Sequence, residues 1–254
     1  MVLYTPGRTS SYPDLPVESG IRIHFLGGGD EVGNVGVVIE DEKSTRLLID
    51  YGLAPSSPPR YPSEAPPVTD AIFTHTHIDH IGMAPWLVGN HQTKLHATSL
   101  TASLSRLMWK DTYKVSSIEG YPLPWDRRDE DEANEAWEVH NYSEWVQYHN
   151  WKWQLHPAGH VPGAAMIEIE TPKHRILHTG DLDTRDGPNS FGAKPVECDI
   201  LLLESTYSGK EHPNRVDEEA RFVAKVVEVV ERGGIAIVPA FASGRGQDVL
   251  RILH

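Results

Sequence analysis

Three apolar runs, Ile21 to Leu26, Val35 to Glu40 and Thr45 to Asp50, are separated by glycines and by the polar turn Asp41-Glu42-Lys43-Ser44. Strand-length runs broken by such turn residues predict an antiparallel meander. The apolar run Val68 to Thr74 predicts a buried strand, after which the spacing of Ile81, Ala84, Trp86 and Leu87 changes to that of a helix. Leu100, Leu104, Leu107 and Met108 fall at i, i+4, i+7 and i+8, which predicts a helix over Ser99 to Val115. An exposed acidic helix is predicted near Glu130 to Val139, followed by strands at Trp153 to His156, Ala164 to Glu170, Arg175 to His178 and Ile200 to Glu204. Helical spacing returns over Val216 to Val230, then a strand at Ile235 to Pro239 and a helix opening near Gly246-Gln247-Asp248. Strand and helix alternate in this last part, as they do around a parallel sheet. Residues 1–19 are read as a turn-rich, flexible lead-in, and Pro55 to Pro67 as a loop.

Composition narrows the class. A chain of 254 residues can bury a sizeable core. With Cys198 as its single cysteine it has no disulfide framework, which points to a reducing, cytoplasmic compartment. The start has no apolar signal region, and no later apolar run approaches the roughly 18 residues of a membrane span. A net charge of −13, from 36 acidic against 23 basic residues, argues against broad attraction to a polyphosphate. Bound cations would invert that sign locally, and the dense acidic run Asp126 to Glu138 carries much of the excess. Trp137, Trp145, Trp151 and Trp153 are read as packing residues in preference to stacking platforms for bases.

The densest chemistry is His75-Thr76-His77-Ile78-Asp79-His80, three imidazoles and a carboxylate directly after a buried strand. In extended backbone, residues two apart share a side, so His75 and His77 can grip one ion. Asp79 and His80, where the helical pattern begins, can aim at a second ion roughly 3.5–4 Å away. Imidazole with carboxylate suits zinc. His160, in a glycine-flanked turn, and Asp181, just past a strand end, can complete the shell. Asp50 ends its strand as either a cap for the turn or an acceptor that orients a ligand histidine. Gly27-Gly28-Gly29-Asp30-Glu31-Val32-Gly33 departs from a dinucleotide fingerprint at Val32 and precedes a strand, so it is read as a loop near the metals.

The order Asp50, His75-x-His77-x-Asp79-His80, His160, Asp181 resembles that of the metallo-β-lactamase superfamily. The resemblance implies an α/β fold, an αββα sandwich, with His75, His77 and His160 on one zinc, Asp79 and His80 on a second, Asp181 bridging both, and Asp50 as a structural carboxylate. Glu204-Ser205-Thr206-Tyr207, and the strand-turn-helix Pro239 to Asp248, resemble the β-CASP branch. That branch holds the nuclease of pre-mRNA cleavage and polyadenylation and RNase J. It implies a lactamase-fold portion over 20–208 and the beginning of an inserted β-CASP α/β domain over 209–254. It also implies catalytic roles for Asp79, Asp181, Glu204 and Asp50, with RNA as substrate. Ser243, Gly244 and Arg245 could offer backbone N–H groups and a guanidinium to a phosphate, although a plain helix-opening turn also explains them.

The helical pattern runs to His254, so the chain is expected to be cut short and its natural partner to be the missing C-terminal portion or a second copy. The expectation is then one zinc held well, a second held loosely, and weak nuclease activity. A small-molecule hydrolase acting on thioesters or lactones would have no use for Glu204-Ser205-Thr206-Tyr207. A non-catalytic subunit of an RNA-processing complex would have no physical need of the full ligand set.

Overall fold

The computed structural model of the chain describes residues 15–16 and 20–254. Its strands are β1 Leu15–Pro16, β2 Ile21–Gly27, β3 Gly36–Asp41, β4 Arg46–Tyr51, β5 Asp70–Ile72, β6 Lys94–Ala97, β7 Trp137–Val139, β8 Val146–Tyr148, β9 Trp151–Pro157, β10 Ala165–Glu170, β11 Arg175–His178 and β12 Ile200–Leu202. The helices are α1 Ile78–Ile81, α2 Ala84–His91, α3 Ser99–Glu119, α4 Arg127–Glu135, α5 Arg215–Glu231 and α6 Arg245–Leu253. Most of the predicted lead-in lies outside the described residues; only the backbone of β1 is placed, antiparallel to β2.

The first seven strands form one sheet in chain order, and the second sheet runs β12-β11-β10-β9-β8. β2, β3 and β4 make the predicted meander. Its second turn is closed by Asp41 Oδ1, which accepts from the backbone N–H groups of Lys43 and Thr45 at 2.9 Å. From β4 to β7 the pairing is parallel: β4 reaches β5 through the loop of residues 52–69, α1 and α2 connect β5 to β6, and α3 and α4 connect β6 to β7.

The period of two along each strand sorts residues into separate cores. Val37, Ile39, Leu47, Ile49 and Ile72 point at the second sheet and meet Trp151, Trp153, Leu155, Ile167 and Ile169. Val38, Leu48, Ala71 and Phe73 point the other way, into the helices, beside Trp86, Leu87 and Trp109. Trp151 and Trp153 are each 1% exposed, so they pack as expected, while Trp145 is 40% exposed under the Lys152 ammonium.

Four expectations are corrected. Helix α3 forms, but its buried face is Thr101, Ala102, Ser105 and Trp109, with Leu100 and Leu107 left exposed. Small residues let the helix approach, so that the Thr98 and Thr101 hydroxyls reach the Gly163 carbonyl at 2.7 and 3.1 Å. The acidic helix α4 begins earlier, at a capping box on Asp126, and stops at Glu135 because Trp137–Val139 pairs with β6. Nor is α4 uniformly exposed: Glu130 and Ala133 are buried. Residues 235–239 are not a strand among the described residues; Ile235 and Ile237 are 88% and 89% exposed, with no neighbouring strand for their backbone.

Candidate metal centre

The centre lies at one end of the sandwich, where strands of both sheets finish. β5 runs into Phe73, and the chain stays extended through His77, whose φ and ψ are −66° and 145°, before α1 starts. His75 and His77 therefore do share a side, with His75 Nε2 and His77 Nδ1 3.0 Å apart. The second sheet supplies His160, from the β9–β10 turn, and Asp181, just after β11. His160 Nε2 is 3.2 Å from His77 Nδ1 and 3.5 Å from Asp181 Oδ2. One donor atom from each of His75, His77, His160 and Asp181 lies within 4.8 Å of all the others. The backbone N–H of Ala165 donates to the Thr74 carbonyl at 2.8 Å, which ties the two contributing sheets together at this point.

His80 and Asp79 open α1 on the other side of Asp181. His80 Nε2 lies 3.5 Å from Asp181 Oδ1 and 3.9 Å from Asp79 Oδ2. Behind the ring, His80 Nδ1–H donates to Asp50 Oδ2 at 2.7 Å. Asp50 is fully buried and holds the left-handed φ of 55° at the end of β4. It also accepts from the Thr74 backbone N–H and hydroxyl, both at 2.8 Å. The carboxylate that could have been a simple turn cap thus orients His80, and it acts through that ring without facing the open side.

Thr74, which the motif did not single out, is the hub. Its hydroxyl proton goes to Asp50, so at 3.0 Å its oxygen accepts from His75 Nδ1–H. That leaves the His75 Nε2 lone pair facing the other donors. A buried threonine directly before an H-x-H pair was the available signal. Close backbone approach completes the frame: a Cβ on Gly52 would overlap the Asp79 carbonyl, and one on Gly180, at φ +52°, would come within 2.8 Å of Thr74 Cβ.

Charge follows from this packing. Burial, reinforced by the rings of His80, His77 and His160, pushes His75 well below the ordinary imidazole value. Burial also lowers His77, against the pull of Asp79, and takes His160 down to about 4 despite Asp181. His80 goes the other way: burial opposes its charge, but Asp50 and then Asp181 raise it well above the ordinary value. Burial would raise Asp181, yet the hydrogen bond and charge of His80 bring it down to about 2. Three neutral imidazoles therefore converge with an ionised carboxylate. A single shared proton cannot satisfy all three nitrogens, whereas tetrahedral zinc, at about 2.0–2.1 Å per Zn–N bond, places its donors about 3.3 Å apart. The spacing found here fits a divalent ion of that kind.

Other predicted residues stand at the margin. Glu204 follows β12, with its N–H on the Thr179 hydroxyl at 3.2 Å and a side-chain oxygen accepting from Thr206 N–H at 2.8 Å; it is not among the grouped donors. Ser243 Oγ is 2.8 Å from Thr76 Oγ1, and the Phe241 ring lies 6.4 Å from that of His77. Gly244, at φ +85°, packs on Val161. Arg245 turns its guanidinium to Asp248 at 3.4 Å. The glycine loop approaches the centre at Gly33, where a Cβ would lie 3.8 Å from Asp79 Cβ, and just after it Val35 N–H donates to the Asp79 carbonyl at 2.9 Å.

Residues 28–144 match the Metallo-beta-lactamase superfamily. The chain is 34% identical over 242 residues to RNase aCSPSF2 of Saccharolobus solfataricus, covering 91% of this chain and 48% of that protein. It is 32% identical to Probable RNase MJ4 of Methanocaldococcus jannaschii, over 92% of this chain and 56% of that one. It is 34% identical to Cleavage and polyadenylation specificity factor subunit 3 of Dictyostelium discoideum, over 92% of this chain and 32% of that one. The chain thus spans from 32% to 56% of the length of these relatives. A crystal structure of a protein of unknown function from Enterococcus faecalis V583 superposes with a TM-score of 0.54 at 16% identity, covering 83% of this chain and 58% of that one, which shows the fold alone. Among the described residues no helix is long and apolar enough to cross a membrane.

Proposed function

We propose that this chain, which belongs to the metallo-β-lactamase superfamily and to its β-CASP branch of RNA-processing nucleases, is part of a zinc-dependent hydrolase of RNA phosphodiester bonds. The observation that carries the proposal is the convergence of His75, His77, His160 and Asp181 donors within 4.8 Å. RNA is favoured as substrate because the relatives are named as ribonucleases and as a cleavage and polyadenylation factor.

In this reading His75, His77 and His160 would hold one zinc, Asp79 and His80 a second, and Asp181 would serve both. Paired divalent cations supply positive charge to a phosphodiester and lower the pKa of water. The chain's own residues set the conditions for that. Burial keeps the three imidazoles neutral and available as donors. Asp50 holds the His80 ring in position, and its charge favours a proton there until an ion displaces it. Asp181, ionised above about pH 2, brings negative charge to the middle of the cluster. Arg245 places a positive charge near His160, where a phosphate could approach; Ser243 positions the Thr76 turn by its hydroxyl bond, and Gly244 permits the tight entry to α6. Glu204, at the exit from the second sheet, would be the acidic partner of a histidine further along the full-length chain. The proposal includes a hydrolase portion over 20–208, the beginning of a second domain over 209–254, and a cytoplasmic setting suited to the lone Cys198.

Incubation with end-labelled single-stranded RNA, a chromogenic lactam and a thioester, each with and without added zinc and with a chelator, tests the function. Zinc-dependent cleavage of RNA, absent from His75→Ala, is the expected result. Hydrolysis of lactam or thioester with RNA left intact would sink the RNA assignment.

A further inference from the structure

A second convergence of metal-type donors lies on β6 and β7, built from residues the centre above does not use. His96 Nδ1 is 3.0 Å from His140 Nε2 and 3.8 Å from Glu138 Oε2, and one donor from each lies within 4.8 Å of the others. Strand register produces the grouping. His96 pairs with Glu138 across the parallel β6–β7 ladder, and His140 N–H continues it by donating to the Ala97 carbonyl at 2.9 Å. Glu138 and His140, two residues apart, then fall on one side.

We propose that His96, Glu138 and His140 form a separate site for a zinc-type divalent cation, which clamps the edge strand β7 to the sheet and to the crossover entering the second sheet. His96 is 4% exposed, and its Nε2–H donates to Asp70 Oδ1 at 2.8 Å, which fixes Nδ1 as the lone-pair nitrogen. A carboxylate behind a ligating imidazole is the arrangement that orients and strengthens such a donor. Glu138 Oε1 accepts from the Lys94 ammonium at 2.8 Å, and Oε2 stays on the side of His96. Trp153, 1% exposed, sets its ring 5.4 Å from that of His96 and 4.8 Å from that of His140, so an apolar floor from the second sheet closes one side. Two imidazoles and one carboxylate with an open fourth position suit zinc over magnesium or calcium. A chain of hydrogen bonds from His140 through His96 to Asp70 accounts for the two rings without an ion, but it gives Glu138 Oε2 no part.

Native mass spectrometry of the ion-free chain titrated with zinc separates these readings, with circular dichroism to confirm folding. His140→Ala should bind one ion fewer than the parent. A His75→Ala/His77→Ala variant should still take up one, which Glu138→Gln should hold at least tenfold more weakly. Glu138 is an exposed edge position, so Glu138→Gln made alone in the parent tests the site without disturbing the core. The proposal is overturned if His140→Ala and Glu138→Gln bind zinc as the parent does, or if His75→Ala/His77→Ala binds none. Equal stoichiometry for the parent and His75→Ala/His77→Ala, with one ion lost in His140→Ala, would instead remove the other centre and leave this one standing.

Discussion

His80 Nδ1 lies 2.7 Å from Oδ2 of Asp50, a fully buried carboxylate held at φ 55° where β4 ends. A left-handed, non-glycine residue costs on the order of 1–3 kcal/mol of backbone strain, and it persists because Thr74 and His80 together satisfy both carboxylate oxygens. The pairing turns Nε2 of His80 toward Asp79 and Asp181.

Asp50→Asn keeps the shape and removes the charge. Affinity for the second ion should fall about 10–100-fold, as is usual when the carboxylate behind a ligating histidine is lost. The ion proposed for His75, His77 and His160 should remain. Metal analysis at limiting zinc measures both, and an unaltered second equivalent would show that Asp50 does not orient His80 for binding.

Asp181→Asn should empty the proposed second position and abolish whatever hydrolysis exists, because the carboxylate placed between His160 and His80 loses its charge. Unchanged metal content in that variant would remove Asp181 from the shared role.

Acid should destabilise the ion-free chain. His75, His77 and His160 have folded-state values below the unfolded value near 6.5, His160 at about 4, so the unfolded chain binds more protons in that interval. Their contribution is fully present above pH 6.5 and is lost as pH falls through the folded values. His80, raised, contributes in the opposite sense: its stabilisation is present below the unfolded value and lost as pH rises through its own. Burial lowers His140 and His178 as well, so with five lowered imidazoles against one raised among the described residues, the urea midpoint should be lower at pH 5 than at pH 7. Bound zinc should be released over the same interval, since protons compete for the same nitrogens. A midpoint that rises on going from pH 7 to pH 5 would contradict this account.

Gly52→Ala forces a Cβ into the Asp79 carbonyl, a backbone atom that can move only with α1. The expected cost is about 3 kcal/mol in urea unfolding. Gly29→Ala, whose new Cβ would meet only ordinary contacts at 3.6 Å to Phe25, should be near neutral and serves as the control.

The meander and the second sheet were legible because apolar runs of strand length were bounded by turn residues, as at Asp41 to Ser44. The H-x-H pair was legible because extended backbone dictates a shared side. Two kinds of information were not available to the sequence. Burial on α3 was decided by what small residues could approach, so Thr101 and Ser105 went inside where Leu100 and Leu107 did not. Ile235 to Pro239 has the composition of a strand, but a strand needs a neighbour, and pairing cannot be read from one segment. Thr74 was overlooked for a related reason: its importance lies in three partners, Asp50, His75 and His80, that only folding assembles.

The hydrogen bond from Ala165 to Thr74 stitches the second sheet to the residue immediately preceding His75. At this centre two imidazoles come from one sheet, and an imidazole and a carboxylate from the other, so neither layer alone supplies the set of four. An ion caught between them acts as a rivet, and its off-rate becomes a gauge of how firmly the layers are joined. Substitutions deep in the intersheet core, at Ile167 or Ile169, should therefore loosen zinc without touching a single donor.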